Sequence, residues 1–99
     1  MKAYRFHREA DAEFTAALHY YSDLSQELGA RFYDEIEGLI SEICAHPLRF
    51  RQIDPPVRRN MAPTFPYAVL YIDEPDRVWV VAVMPLKRDP DYWRNRLAR

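Results

Sequence analysis

Near its start the chain alternates. In Lys2 to His7 (KAYRFH), Tyr4 and Phe6 fall on one side and Ala3, Arg5 and His7 on the other, the period-two signature of a short strand. The pattern then changes. Glu9 to Ala45 contains no proline, and apolar residues recur at helical spacing through Phe14, Leu18 and Tyr21, then Phe32, Ile36, Leu39, Ile40 and Ile43. A single helix over that span would run to about 55 Å, out of proportion for a chain of 99 residues. The spacing therefore predicts two antiparallel helices broken near Ser22 to Ser25. Asp23 would cap the second, with Gln26 reaching back as in a capping box.

Pro47 ends the second helix, because proline disfavours helix in the residue before it. Pro47 to Pro56 reads as an arginine-bearing loop and Val57 to Ala62 as a short strand. Tyr67 to Ile72 and Val78 to Met84 are rich in Val, Ile, Tyr and Trp and are strongly strand-like. The DEPD sequence between them (Asp73 to Asp76) is turn chemistry, so the two form a hairpin. Pro85 suits a strand exit. Asp89 or Asp91 begins a short last helix carrying Tyr92, Trp93, Arg96 and Leu97. The order is β-α-α-β-β-β with a short C-terminal helix. It describes one α+β domain over residues 1–99, with a helical hairpin on one face of a small, mostly antiparallel sheet.

The hairpin strands are apolar on both sides. Tyr67, Val69 and Tyr71 alternate with Ala68, Leu70 and Ile72, and Val78, Val80 and Ala82 with Trp79, Val81 and Val83. One helical hairpin covers only one sheet face. The other needs the terminal segment, a second copy or a different chain, and an external partner is the expectation, since large apolar patches usually mark interaction sites.

Composition narrows the function. At 48% apolar residues the chain should fold. No run of about 18 apolar residues occurs, so no membrane span is expected, and no basic-then-apolar leader is present. A cytoplasmic location fits. Cys44 is the only cysteine, so neither an internal disulfide nor a cysteine metal cage is expected. His7, His19 and His46 lack metal-ligand spacing and read as surface or cap residues. There is no glycine-rich phosphate loop, GxSxG, HExxH or CxxC, and no cofactor is expected. Asp34, Glu35 and Glu37 read as solvated helix charges.

The net charge of −1 conceals an asymmetry. Arg8 to His46 carries nine acids against two bases, whereas Pro47 to Arg99 carries ten bases against six acids. The basic half interleaves arginine with aromatics, as in KRDPDYWRNR (Lys87 to Arg96), and suits an anionic partner. Arginine grips phosphate or carboxylate through two N–H groups. Arg58 and Arg59 would point to opposite faces of a strand. Trp93 reads as a packing anchor. The modest total charge argues against tight sequence-independent DNA binding.

The element order, the FPYAVLY strand (Phe65 to Tyr71), the VVAV strand (Val80 to Val83) and the KRDPDYWRNR end resemble the RelE/ParE superfamily of type II toxin–antitoxin toxins. The likeness spans essentially the whole chain and is closest to the ParE-like branch, often called plasmid stabilisation proteins. The resemblance implies a bacterial toxin neutralised by a cognate antitoxin whose C-terminal segment wraps it. Such a segment would cover the apolar sheet through Tyr67, Val69, Tyr71, Trp79 and Val81. RelE-like members cleave mRNA on the ribosome, with a base, an acid and cations around the phosphate. Ala68 stands where such sequences carry an arginine, and Pro85 and Leu86 where they carry a basic residue. Arg59, Arg88 and Tyr92 are the remaining catalytic candidates. ParE-like members instead poison DNA gyrase by protein contact. That reading is the better fit, with Arg58, Arg59, Lys87, Arg88, Tyr92, Arg94 and Arg96 as the target-binding set and the ribosome-dependent RNase as the alternative. A non-toxic binding module is a third reading.

Overall fold

The computed structural model describes Met1 to Ala98. Strand β1 (Tyr4–Phe6) leads into helices α1 (Arg8–Leu24) and α2 (Gln26–Ala45), and strands β2 (Arg51–Asp54), β3 (Val57–Met61), β4 (Tyr67–Asp73) and β5 (Val78–Pro85) follow. A single 3₁₀ turn, Arg94–Leu97, ends the chain. The five strands form one sheet in the order β1-β5-β4-β3-β2. β1 runs parallel to β5, and every other pairing is antiparallel. This is the expected α+β arrangement, with the two helices on one face.

The helices break where apolar periodicity slips, but Asp23 does not cap the second. Ser25 sits between the two helices with extended backbone, and its hydroxyl accepts from the Leu28 N–H. One residue thus ends α1 and starts α2. The hairpin is tight because Gly29 faces Ser22: a Cβ at Gly29 would lie 2.9 Å from the Ser22 Cα. Gly29→Ala is therefore expected to destabilise by about 1–2 kcal/mol, overpacking outweighing helix propensity. Gly38→Ala, where a Cβ meets nothing within 4 Å, should stabilise by about 0.5–1 kcal/mol. Urea unfolding of the two variants checks the opposite signs.

Strand β2 lies within the stretch expected to be loop. Ile53 is its only apolar residue, and its edge position tolerates Arg51, Gln52 and Asp54, since charged side chains suit a sheet edge. The terminal segment is a 3₁₀ turn preceded by turns rather than a helix started by Asp89 or Asp91, although the Asp89 side chain accepts from the Asp91 N–H.

The core has two layers. Phe14, Phe32, Ile36, Ile40 and Ile43 pack from the helices onto Val69, Tyr71, Val78, Val80 and Val83. On the other face Val57, Ala68, Leu70, Trp79, Val81, Ala82 and Met84 gather around Trp93. The strict alternation expected along β5 fails at Val81. Leu70 pairs with Ala82 and Tyr71 with Val80, so Val81 is an extra residue. The bulge reverses the parity beyond it. Val83 turns to the helices, and Ala82 joins Trp79 and Val81 on the other face.

The expectation that an external partner covers this second face is overturned. Trp93, 1% exposed, folds back onto it with Tyr92 and Leu97. Trp93 is the anchor its composition suggested.

Two polar groups join the layers. Glu35, expected to be solvated, accepts from the Thr64 and Phe65 N–H groups at 2.9 Å each. Burial pulls its carboxyl upward, yet those hydrogen bonds and Arg31 bring it below its ordinary value. The Tyr71 hydroxyl donates to the Pro47 carbonyl at 2.5 Å. Burial pushes this phenol from its ordinary 10.0 up to about 12, against the pull of Arg58. Its folded pKa is the higher one, so its contribution is complete below pH 10 and is lost as pH rises towards 12. Between pH 9 and pH 11 this costs about 1–1.5 kcal/mol, roughly half of the full shift, and Tyr71→Phe is expected to remove that pH dependence, read by urea unfolding at the two pH values.

Candidate functional site

β1 is only three residues long, and its pairing with β5 stops at Phe6 opposite Val80. Beyond Val80, two backbone groups of β5 are met by side chains. Glu13 Oε1 accepts from the Val83 N–H at 3.1 Å, and Arg96 Nη1 donates to the Val81 carbonyl at 3.0 Å. The two side chains also meet each other, with Nη1 to Oε1 at 3.0 Å and Nη2 to Oε2 at 2.7 Å. Arg96 Nε lies 3.7 Å from Glu9 Oε2. Glu13, on α1, and Arg96, on the terminal turn, thus close the sheet edge that β1 leaves open and tie the tail to the helices.

Tyr92 completes the cluster. Its hydroxyl donates to Glu13 Oε2 at 2.6 Å. Its ring lies between two guanidiniums, with Arg88 Cζ 4.1 Å and Arg96 Cζ 4.8 Å from the centroid. Burial, the hydrogen bond to Glu13 and the Glu13 charge all push the phenol well above its ordinary value, outweighing the two arginines. Tyr92 is therefore held as a neutral donor, poorly suited to act as a base near neutral pH. The hydrogen bonds to Glu13 likewise favour the charged form of Arg96.

The arginines expected to form one target surface do not. Arg58 donates to the Leu48 and Phe50 carbonyls at 3.2 and 2.7 Å and fixes the loop after α2. Arg96 is buried in the Glu13 cluster. Arg94 is exposed and paired with Asp54 and Asp91. Lys87 and Arg88 are exposed beyond β5, and Arg59 lies on the second sheet face, opposite Leu70. Arg59, Arg88 and Tyr92 do not converge as one constellation: Arg59 lines a cleft with Trp93 and Arg94, whereas Arg88 and Tyr92 sit at the Glu13 cluster.

The five residues expected to meet an antitoxin are divided as well. Tyr67, Val69 and Tyr71 pack towards the helices, and Trp79 and Val81 lie on the opposite face beneath the terminal segment. The cause is tertiary: one sheet strand presents two faces, and both find cover within the chain. Ala68 and Pro85 occupy the positions that weighed against RNA cleavage. Ala68 is fully buried on the second face and Pro85 is the last residue of β5. Among the described residues no cluster of three His, Cys, Asp or Glu side chains has metal-binding geometry, and no helix is long and apolar enough to cross a membrane.

Sequence reasoning missed Glu13, and it left Arg51 as one of the arginines of the Pro47 to Pro56 loop. Glu13 precedes Phe14 in the helical pattern, and nothing local separates it from Glu9 or Asp11. Arg51 acquires a cross-strand neighbour only once β2 is recognised.

A family model described as "ParE toxin of type II toxin-antitoxin system, parDE" matches residues 4–90. Among solved structures, one titled "Chromosomal ParDE TA system from P. aeruginosa" superposes with a TM-score of 0.72 at 17% identity, covering 86% of this chain and 96% of that one. At that identity the superposition speaks for the fold. No curated protein sequence matches the chain.

Proposed function

Because the chain belongs to the ParE toxin family of type II toxin–antitoxin systems, we propose that it inhibits growth by protein–protein contact with DNA gyrase and is neutralised by a cognate antitoxin in the cytoplasm. The observation that carries contact over RNA cleavage is the state of Tyr92. Its hydroxyl is committed to Glu13, and its pKa is raised by burial first and by that carboxylate second. A 2′-hydroxyl base needs a pKa near the working pH and an open path to the substrate, and Tyr92 offers neither. Ala68 and Pro85 also leave the RNase set short of cations. The exposed Lys87 and Arg88, with the half-buried Arg59, are suited to recognising an acidic surface.

The test is a pair of assays on purified protein. Inhibition of gyrase supercoiling without ribosome-dependent mRNA cuts is the expected result. Cleavage abolished by Arg59→Ala or Tyr92→Phe would replace this reading with the RNase. Normal growth after strong induction without antitoxin would replace it with a non-toxic binding module.

A further inference from the structure

Arg51 on β2 and Arg59 on β3 are direct cross-strand partners, and Arg59 is opposite Leu70 on β4. Cross-strand partners share a face, so both guanidiniums stand on the second sheet face, in one row with buried Leu70. Like charges directly opposite are unfavourable in a sheet. Yet neither side chain has a hydrogen bond or ion pair among the described residues, while nearby Asp54 is engaged by Arg94. Beside the pair lies a cleft of about 230 Å³ whose walls include Ile53, Met84 and Trp93. The Trp93 indole N–H is buried without a hydrogen-bond partner. Two unneutralised guanidiniums, an apolar wall and an orphaned N–H donor thus occupy one end of this face.

We propose that the Arg51–Arg59 pair and the adjoining cleft bind a carboxylate side chain carried on an otherwise apolar segment of a partner protein. The anion relieves the repulsion between the guanidiniums and accepts charge-assisted hydrogen bonds from them. Its apolar neighbours pack against the half-buried Ile53 at the mouth of the cleft. A nucleic acid is the poorer fit. A phosphodiester chain relies on many cationic contacts, and here Asp54 and Asp91 flank only two unpaired guanidiniums. The proposal rests on the toxin reading only in taking the partner to be a protein, and the cleft is distinct from the Glu13 cluster.

The test uses the full chain and two blocked 12-residue peptides, one of leucine, alanine and two glutamates, the other with glutamine in place of glutamate. NMR titration follows the Trp93 indole proton. The expected result is a saturable shift with the glutamate peptide and at least tenfold weaker binding of its glutamine twin. Arg51→Ala and Arg59→Ala should each weaken binding about tenfold, whereas Arg31→Ala, at an exposed position of α2 on the other side of the sheet, should bind as the parent does. Thermal unfolding supplies a second reading: Arg51→Ala should melt no lower than the parent, because a like-charge pair has been removed. Equal binding of the two peptides, no shift of the Trp93 proton, or a clear loss of melting temperature in Arg51→Ala would overturn the proposal. So would a 12-nucleotide RNA that binds with the same dependence on Arg51 and Arg59. These measurements do not depend on toxicity, so a chain that fails to inhibit gyrase but binds the peptide separates the two readings.

Discussion

Glu13→Ala is expected to destabilise the protein by about 3–5 kcal/mol, the range for removing one partner of a buried ion pair. The Arg96 side chain is only 5% exposed and Glu13 17% exposed. Without Glu13, Arg96 keeps the long contact to Glu9, its bond to the Val81 carbonyl and the face of the Tyr92 ring, so a buried charge loses its closest anionic partner. The Tyr92 hydroxyl and the Val83 N–H lose their acceptor in the same step. At about 4–8 °C per kcal/mol for a domain of this size, the melting temperature should fall by roughly 15 °C or more. Because the cluster ties the terminal segment to α1, tryptophan fluorescence, from Trp93 and Trp79 on the face it covers, should shift to the red as that cover loosens. Tyr92→Phe removes one hydrogen bond and should cost only about 1–2 kcal/mol. Replacing Glu13 and Arg96 together by leucine and methionine should cost much less than Glu13→Ala, since no charge is left stranded. Equal losses for the single and double replacements would refute the clasp.

Phe32→Ala should cost a comparable 3–5 kcal/mol by a different physical route, lost burial and an unfilled cavity. Phe32 is fully buried, and its ring meets Phe14, Tyr21, Phe65 and Tyr67 with centroids 4.8 to 6.0 Å apart. These rings come from both helices, from β4 and from the segment before it. The change therefore strikes the junction of the helical layer with the sheet. Such a loss is a large share of the roughly 5–15 kcal/mol typical of a domain. Guanidinium unfolding should show a lower midpoint with an unchanged slope. The tryptophan emission of the folded protein should stay as in the parent, because the terminal segment packs on the other face. A shift of that emission in Phe32→Ala would mean that the two layers do not behave separately.

The helices and the β4–β5 hairpin were legible because their signals are local. Periodicities of 3.6 and 2 need no knowledge of neighbours, and Pro47, Pro85 and the DEPD turn mark the limits within a residue or two. The Ser25 cap was missed because Asp23 offers the same chemistry two residues earlier, and helix register selects between them. Strand β2 was missed because RQID carries one apolar residue, and an edge strand is defined by its partner more than by its own composition. Reading β5 as strictly alternating placed Ala82 and Val83 on the wrong faces. A bulge is a mismatch between two strands, and no single strand records it.

The candidate sites were less legible. Arginine content pointed to the C-terminal half, but burial divided that set: Arg96 became the buried clasp, Arg58 a loop support and Arg59 half of an unpaired cross-strand pair. Glu13 and Arg96 are 83 residues apart, and no pattern along the chain relates them. By itself the sequence determined the α+β class, the two-faced apolar hairpin, the role of Trp93 as anchor and the resemblance to the toxin family, because each follows from short-range order or from motif order. Only the tertiary structure decided that the chain covers its own second sheet face, that Glu13 closes the edge left by a three-residue β1, and that Arg51 and Arg59 face one another. Those outcomes depend on strand register and on contacts between distant residues, where desolvation and pairing of charge select the partner.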